Sequence, residues 1–321
     1  MKLTTFNTLT ERKNSRSLLE IRLSGKGVVL SSRAVFVVVG MLLSGCSESS
    51  KSVTAAELPW SQVARGTSVT ITGQSRTVSF SQGGVAATPS ALASDATLTV
   101  NYNSAEELTS AQLRADGDDK GRWYETHTQS DNNDTDIIYN SGASYNDVYQ
   151  IANPYNNSYE YQTFGLWNRS LGLASGNFGS FSVGSETPDT TIPTVGTATY
   201  TGLVRGVSNE FFWFNSSFTA NADFANRTVS FATANTTSYM DFQYTSEETE
   251  AVIADDYNFS GNMSYSEGNN NLTGNITSDG GATGTIDARF FGPEAEEIGG
   301  NFILEDAGLG ITHIGSFGGK R

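Results

Sequence analysis

Alternation of polar and apolar residues is the most regular signal in this chain, and it begins near residue 68. Residues 69–72, 77–80 and 96–102 place apolar side chains at every second position. This period of two is typical of β-strands with one buried face. No stretch of any length shows the period of an amphipathic helix. The pattern therefore predicts an all-β protein.

Strand signals become denser in the second half of the chain. They predict strands over residues 160–168, 197–204, 211–218, 222–223 with 228–231, 238–244, 257–265, 272–276, 284–291, 300–304 and 311–317. Residues 267–271, Glu-Gly-Asn-Asn-Asn, are typical of a hairpin turn. Short strands at close intervals favour a barrel or a sandwich. We expect closure into a barrel, because an open edge on an exported protein invites aggregation.

The N-terminus has the features of an export signal. Residues 1–33 carry seven Lys or Arg and two Glu, and an apolar run over residues 35–43 follows. The run is shorter than the roughly 20 residues of a membrane-spanning helix, so we expect it to be cleaved. It ends in Leu43-Ser44-Gly45-Cys46, which resembles the lipobox of bacterial lipoproteins, where the cysteine is acylated and becomes the first mature residue.

Cys46 is the only cysteine of the chain, which fits a lipidation site. A chance cysteine after an ordinary signal peptide is the alternative. Ser47 follows, and in bacterial lipoproteins the absence of Asp at this position implies sorting to the outer membrane. We therefore expect residues 1–45 to be a lipoprotein signal peptide, and the protein to be lipid-anchored in the outer membrane and to face outward. Residues 46–65 lack alternation and predict a flexible tether.

Charge separates the signal region from the rest of the chain. The whole sequence has a net charge of −15, and residues 1–45 hold seven basic and two acidic residues, so the remainder has a net charge of −20. Phosphate backbones repel such a chain, so we expect no nucleic-acid partner. The acidity either keeps an exposed protein soluble or steers it toward a basic partner.

A cluster of carboxylates in residues 115–136 is a candidate calcium loop. Its members are Asp116, Asp118, Asp119, Asp131, Asp134 and Asp136. Clustered carboxylates can bind Ca²⁺. An EF-hand loop counted from Asp116 would, however, place Lys120 and His127 where oxygen ligands are needed. A solvated loop is the simpler interpretation, and we predict no metal site.

One segment near the C-terminus carries a family resemblance. Residues 284–302, GTIDARFFGPEAEEIGGNF, strongly resemble the end of the barrel in transferrin-binding protein B and its relatives. In that family an aromatic-Gly-Pro turn and an Ala-Glu-Glu segment precede a Gly-Gly pair and the next strand. Further segments that resemble the family follow its order: residues 161–167, 196–202, 223–229 and 315–321.

The resemblance implies an antiparallel eight-stranded β-barrel over residues 155–321, preceded by a smaller β-rich handle over residues 66–150. It also implies a surface lipoprotein that binds a protein or haem ligand, and many members of the family serve metal acquisition. An outer-membrane transporter or translocator is a further implied partner. The motif occurs once, which implies a single-barrel member and argues against transferrin itself as the ligand.

The aromatic-Gly-Pro turn has a predictable structural role. Pro293 fixes φ and lacks an N–H, so it ends the strand that contains Phe291. Gly292 permits a turn conformation that a Cβ would oppose.

The residues after this turn are expected to close the end of the barrel. Residues 294–297 can form a single helical turn. Gly299 and Gly300 then let the chain turn sharply into the strand that contains Phe302. Catalytic paired glutamates are the alternative, but no substrate signature accompanies them.

An aromatic run over residues 211–214 is the first candidate ligand surface. Alternation puts Phe212 and Phe214 on one face of a strand and Trp213 on the other. Clustered Trp and Phe side chains anchor protein interfaces. Alternatively, one face fills the barrel and the other packs against the handle.

Tyrosines and histidines supply the remaining candidates. Tyr145 and Tyr149 lie in a Tyr- and Asn-rich stretch, which forms either an adaptable contact surface or a packed linker. His127 is a candidate haem ligand or an exposed histidine. His313, on the same strand face as Ile311, is expected in the barrel wall.

No catalytic signature accompanies these residues, so we expect a binding protein and not an enzyme. The chain has no Gly-x-Ser-x-Gly elbow, no His-Glu-x-x-His and no phosphate-cradling loop. Haem is the only cofactor that the sequence leaves open. Capture of a protein or haem ligand is the leading hypothesis, and a surface adhesion or immune-shielding module is the alternative.

Overall fold

The computed structural model describes residues 52–53, 59–63, 67–81, 85–103, 108–115, 117–124, 136–140, 147–170, 175–210, 212–240 and 251–321. Within these residues the chain forms two β-sheets with few helical residues. One α-helical turn, α1, spans Pro154–Asn157, and two 3-10 turns span Trp60–Gln62 and Asp255–Tyr257. None of the helices in these ranges has the length and apolarity needed to cross a bilayer.

The strands of the first half form one sheet, which we call the N-terminal sheet. They are β1 Ser52–Val53, β2 Ser68–Ser81, β3 Val85–Pro89, β4 Ala93–Tyr102, β5 Leu108–Ala115, β6 Asp118–Tyr124, β7 Asp136–Asn140, β8 Asp147–Ala152, β9 Gln162–Ser170 and β10 Ser175–Gly184. Their spatial order is β6–β5–β4–β2–β10–β9–β8–β7, and β1 and β3 also pair with β2.

The strands of the second half form a closed antiparallel barrel. They are β11 Thr197–Ser208, β12 Phe212–Asp223, β13 Thr228–Met240, β14 Val252–Ile253, β15 Phe259–Ser264, β16 Leu272–Ser278, β17 Thr283–Phe291, β18 Glu297–Asp306 and β19 Ile311–Lys320. The order β12–β11–β19–β18–β17–β16–β15–β13 closes because β12 also pairs with β13, and β14 adds to β13 outside the ring of eight. The predicted all-β class and eight-stranded barrel are confirmed.

Alternating side chains fill the barrel with aromatic rings. Phe218 stacks on Phe231 with ring centroids 4.9 Å apart. Phe231 also contacts Phe317 at 4.8 Å, and Phe259 contacts Phe302 at 4.7 Å. Such pairs add to the free energy gained by burying the rings themselves. The barrel interior is therefore a packed core.

The barrel begins later in the chain than the sequence predicts. We expected it over residues 155–321, with the handle ending at residue 150. The pairing instead places β9 and β10 in the N-terminal sheet, and the first barrel strand starts at Thr197. Alternation reveals that a segment is a strand, but it does not identify the strand's hydrogen-bonding partner.

One wall of the barrel, formed by β18 and β19, packs against the N-terminal sheet. Nearly every residue of these two strands is buried, on both faces. An apolar layer fills the space between the sheets, and its members are Val78, Leu166, Phe178, Val207, Trp213, Ile303 and Ile314. The N-terminal sheet therefore covers the outer face of this wall.

Hydrogen bonds also connect the N-terminal sheet and the segment before β9 to β18 and β19 of the barrel. The Tyr159 hydroxyl donates to the Gly318 carbonyl oxygen at 2.7 Å. The Gln162 Nε2 donates to two barrel carbonyl oxygens, those of Ile298 at 2.9 Å and Gly319 at 3.1 Å. These bonds satisfy polar groups that the junction removes from water.

Trp213 tests how much this layer contributes to stability. Its side chain is 4% exposed and lies in the layer between the sheets. Trp213→Ala should lower the free energy of unfolding by about 3–5 kcal/mol, because it removes a large buried ring and leaves a cavity. Leu309→Ala, at a side chain that is 72% exposed, is the control and should change it by less than about 0.5 kcal/mol. Chemical denaturation of the purified protein measures both, and equal effects would contradict the packing role of Trp213.

Candidate functional site

The aromatic run divides between two cores, as its alternation predicts. Phe214 is buried in the barrel interior, whereas Trp213 is buried in the layer between the sheets. Phe212 is partly buried. Trp213 therefore packs inside the protein, and its role in ligand binding stays a prediction.

The other sequence candidates lie largely outside the described residues. Cys46, His127 and Tyr145 are not within those ranges. The backbone of Tyr149 belongs to β8 and pairs with Trp167 of β9. Lipidation, haem ligation and a tyrosine contact surface remain predictions at these positions.

The aromatic-Gly-Pro motif forms the expected turn at one end of the barrel. Phe291 ends β17, and Gly292 has a φ of 86°, a conformation that favours glycine. Pro293 lies within the turn. Phe302 is fully buried in the barrel core.

The Gly-Gly pair serves a different purpose from the predicted sharp turn. Gly299 and Gly300 lie inside β18, which already begins at Glu297. A Cβ at Gly299 would stand 2.0 Å from the Gln162 Oε1, and one at Gly300 would stand 2.0 Å from the Asp287 carbonyl oxygen. The pair therefore permits close approach of neighbouring strands and of the N-terminal sheet.

Glu297 is a buried carboxyl at this junction. Its Oε1 accepts a hydrogen bond from the Glu160 backbone N–H at 2.6 Å, and its Oε2 accepts one from the Tyr161 backbone N–H at 3.3 Å. Burial raises the pKa of Glu297 to about 7, although these hydrogen bonds act in the opposite direction. The residue connects β18 to the segment before β9, and its role is structural.

A cavity opens at the opposite end of the barrel, which we call the mouth. Here lie the β11–β12, β16–β17 and β18–β19 turns and the 3-10 turn Asp255–Tyr257. The cavity has a volume of about 220 Å³. Its lining includes Phe214, Tyr257, His313, Asp256 and Asp306.

Three rings form the wall of the mouth cavity. The Tyr257 and His313 ring centroids are 5.0 Å apart, and Phe214 lies 5.6 Å from Tyr257 and 6.0 Å from His313. His313 is 4% exposed, and its Nδ1 has no hydrogen-bond partner among the described residues. Burial lowers the pKa of His313 to about 4, against the opposing charge of Asp306, so the ring is neutral at pH 7.

Carboxylates cluster around this cavity. Exposed acidic residues of the mouth are Glu210, Asp255, Asp256, Asp279 and Glu305, and Asp306 is half-buried beside them. The sequence has no Lys or Arg between residues 228 and 288 or between residues 290 and 319. Arg227, Lys320 and Arg321 follow or precede strand ends at the far end of the barrel. Among the described residues, the turns of the mouth therefore contain acidic residues and no Lys or Arg.

Apolar side chains accompany these carboxylates. Leu309, at the tip of the β18–β19 turn, is 72% exposed, and Ile253 of β14 is 81% exposed. We call Leu309, Ile253 and the exposed acidic residues of the mouth the mouth surface. Both side chains are available for contact with a partner protein.

Sequence reasoning missed the mouth cavity as a site. It placed His313 in the barrel wall, where the structure also has it, but gave no reason to join it to Tyr257 or Asp306. Their positions lie far apart in the chain, and only barrel closure brings them together. The long acidic stretch without Lys or Arg was the one available signal.

The pKa values of His313 and Glu297 are shifted in opposite directions, and these shifts predict how the free energy of unfolding depends on pH. His313 has a folded pKa of about 4, below its ordinary 6.5, so its contribution to stability is lost as pH falls from 6.5 through 4. Glu297 has a folded pKa of about 7, above its ordinary 4.5, so its contribution is present below pH 4.5 and lost as pH rises through 7. Between pH 4.5 and 6.5 the two slopes oppose each other.

Replacing His313 and replacing Glu297 should therefore change the dependence of the free energy of unfolding on pH in opposite directions. His313→Phe leaves the Glu297 slope, and stability should fall by roughly 2 kcal/mol from pH 4.5 to 6.5 relative to the parent protein. Glu297→Gln leaves the His313 slope, and stability should rise by a similar amount over the same range. Urea denaturation at half-unit pH steps measures both, and parallel profiles for the two variants would refute the assignment.

Comparison with known proteins agrees with this architecture. Residues 192–321 match the family model described as the C-lobe and N-lobe beta barrels of Tf-binding protein B. No curated protein matches the chain.

Three solved structures of similar proteins are covered by this chain to different extents. A transferrin-binding protein B variant from Haemophilus parasuis is 14% identical, with 71% of this chain and 54% of that chain covered and a TM-score of 0.39. The protein from serogroup B Neisseria meningitidis is 12% identical, with 72% and 52% covered and a TM-score of 0.40. A protein described as a surface lipoprotein is 13% identical, with 77% and 98% covered and a TM-score of 0.38.

The chain thus spans about half the length of the first two proteins. The matched family model begins at residue 192, just before β11, and continues to the last residue of the chain. It therefore covers the closed barrel and excludes the N-terminal sheet. Over residues 192–321 this chain is therefore similar to the β-barrels of transferrin-binding protein B.

Proposed function

We propose that this chain is a lipid-anchored surface protein that binds a protein partner through the mouth surface of its barrel. The observation that carries the proposal is the combination at the mouth of exposed Leu309 and Ile253 with six carboxylates, in turns whose described residues include no Lys or Arg. Apolar contacts supply affinity at protein interfaces, and charge supplies orientation and a fast association rate. The matched family, named for binding a protein, supports the same class of ligand.

A protein partner fits the mouth better than a small molecule does. Small-molecule pockets usually have volumes of about 300–1,000 Å³. The mouth cavity, at about 220 Å³, is smaller, whereas the exposed turns around it offer a broad surface.

Haem bound through His127 remains the second ligand proposal. A haemin titration that shifts the Soret band in the parent protein but not in His127→Ala would favour it.

Anchoring follows from the N-terminal segment in this proposal. Cys46 would carry the acyl chains, and two or more chains are needed for stable membrane attachment. The strongly acidic remainder of the chain is repelled by anionic lipid headgroups, so lipid must supply the attachment. The flexible tether predicted over residues 46–65 is wrong in part, because β1 pairs with β2 and Trp60 is buried in the core of the N-terminal sheet. Only residues 47–51 would then lie between the acylated Cys46 and the first strand.

A cysteine substitution tests this anchor. Cys46→Ala should abolish incorporation of radiolabelled palmitate and move the protein from the membrane fraction to the soluble fraction. Ser47→Ala is the control, and both properties should stay unchanged. Membrane retention of an unlabelled Cys46→Ala protein would contradict a lipid anchor, and protease treatment of whole cells reports which side of the membrane the protein faces.

Capture of a partner by intact cells tests the binding role. Cells that display the full chain are incubated with host fluid or growth medium, and retained proteins are identified by mass spectrometry. The double variant Leu309→Ser with Ile253→Ser should reduce the retained partner by about tenfold, because both apolar contacts are lost. Val195→Ser, at an equally exposed side chain outside the mouth, is the matched control. Equal retention by all three proteins would refute binding at the mouth.

Metal acquisition is the physiological role that we propose for this capture. It is the role implied by the family resemblance, and deletion of the gene should slow growth when iron is supplied only in a protein-bound form. Growth on a free iron salt is the control and should be unchanged. Altered attachment or serum survival with normal growth would instead support the adhesion or immune-shielding alternative.

A further inference from the structure

The mouth cavity contains a buried polar atom whose hydrogen bond is missing. His313 lines the cavity and is 4% exposed, and its Nδ1 has no partner among the described residues. A buried polar atom without a hydrogen bond is costly, and most such atoms in proteins are paired. Since the ring is neutral at pH 7, one of its two nitrogens is a hydrogen-bond acceptor. The wall of the cavity therefore contains a neutral histidine ring with an unpaired, buried nitrogen.

Two carboxylates lie at the same cavity. Asp306 Oδ1 accepts hydrogen bonds from the backbone N–H groups of Gly308 and Leu309, at 2.9 and 3.0 Å, which fixes the carboxylate at the start of the turn. Asp256 is exposed on the 3-10 turn across the cavity. Both groups attract a cation, and the low polarity of the ring-lined wall strengthens that attraction.

Aromatic rings complete a site that suits one kind of cation. Phe214 and Tyr257 line the cavity beside His313. A guanidinium group is planar and weakly hydrated, stacks on aromatic faces, and donates paired hydrogen bonds to carboxylates. An ammonium group is more strongly hydrated and lacks the planar fork, so the cavity favours arginine over lysine.

We propose that the mouth cavity receives an arginine side chain from a basic loop of the protein partner. Its guanidinium would stack against Tyr257, donate to Asp256 and Asp306, and lie against the His313 ring. Leu309 and Ile253 would contact apolar residues that flank this arginine. The inference rests on the proposed protein-binding function and specifies which chemistry the partner must present.

A peptide probe isolates this interaction from the rest of the interface. The probe is Ac-Gly-Ser-Gly-Arg-Gly-Ser-Gly-amide, and its control replaces arginine with citrulline, which has a similar shape but no charge. The ring proton resonances of His313 in the full chain are followed by NMR. Only His127 and His313 contribute such signals, and His313→Gln assigns them. The arginine peptide should shift the His313 resonance in a saturable manner, and the citrulline peptide should not.

Charge variants locate the binding. Asp256→Asn and Asp306→Asn should each lower the affinity for the arginine peptide by about tenfold, because each removes one carboxylate. At residue 306, asparagine keeps the side-chain oxygen that accepts the hydrogen bonds of the turn. Glu267→Gln is the control, because Glu267 is exposed in the β15–β16 turn at the far end of the barrel and does not line the cavity. It should change the affinity less than about twofold.

The outcomes separate this inference from the proposed function. An unshifted His313 resonance, equal binding of the citrulline peptide, or equal weakening by Glu267→Gln would overturn the arginine site. Tighter binding of free arginine than of the peptide would also overturn it, in favour of a small-molecule ligand. Cells can still capture a protein partner in each of these cases. A negative result with the arginine peptide therefore does not contradict protein binding at the mouth.

Discussion

The wall formed by β18 and β19 lies between two apolar layers, and this double burial governs the architecture. Its inner face meets the aromatic core of the barrel, and its outer face meets the N-terminal sheet. Two strands buried on both sides need side chains that fit closely in both directions. Glycines meet this requirement at the junction: a Cβ at Gly318 would stand 2.4 Å from the Phe164 ring, and one at Gly299 would collide with Gln162. The N-terminal sheet can therefore sit directly against the barrel backbone.

This constraint also explains where the sequence predicts the structure and where it does not. Strands with one buried face, such as β15 with its alternating exposure, are visible from their period of two. β18 lacks that period because almost all of its residues are buried, so the Gly-Gly pair within it resembles a turn. The start of the barrel was misplaced for a related reason, since β9 has the pattern of a barrel strand but pairs with β8 and β10.

The candidate site was harder to predict than the fold. Phe214, Tyr257, Asp306 and His313 come from three strands and one turn, and no local motif joins them. The sequence identified Phe214 as a candidate because it belongs to the aromatic run over residues 211–214. It gave no indication that Phe214 lines a cavity. Charge was the more informative signal: the absence of Lys and Arg over long stretches of the barrel predicts an acidic surface, although only the closed structure shows that its turns gather at one end.

The residues of the mouth cavity and the residues that hold the barrel against the N-terminal sheet lie in different parts of the molecule. The turns that carry Leu309, Asp256 and Asp279 are held by strands whose pairing continues around a ring without free edges. Replacing residues in such turns leaves the hydrogen-bond ladder and the aromatic core in place. Substitutions at this end can thus change the charge and shape of the mouth, whereas the glycines and Glu297 of the shared wall are constrained by close packing and hydrogen bonds.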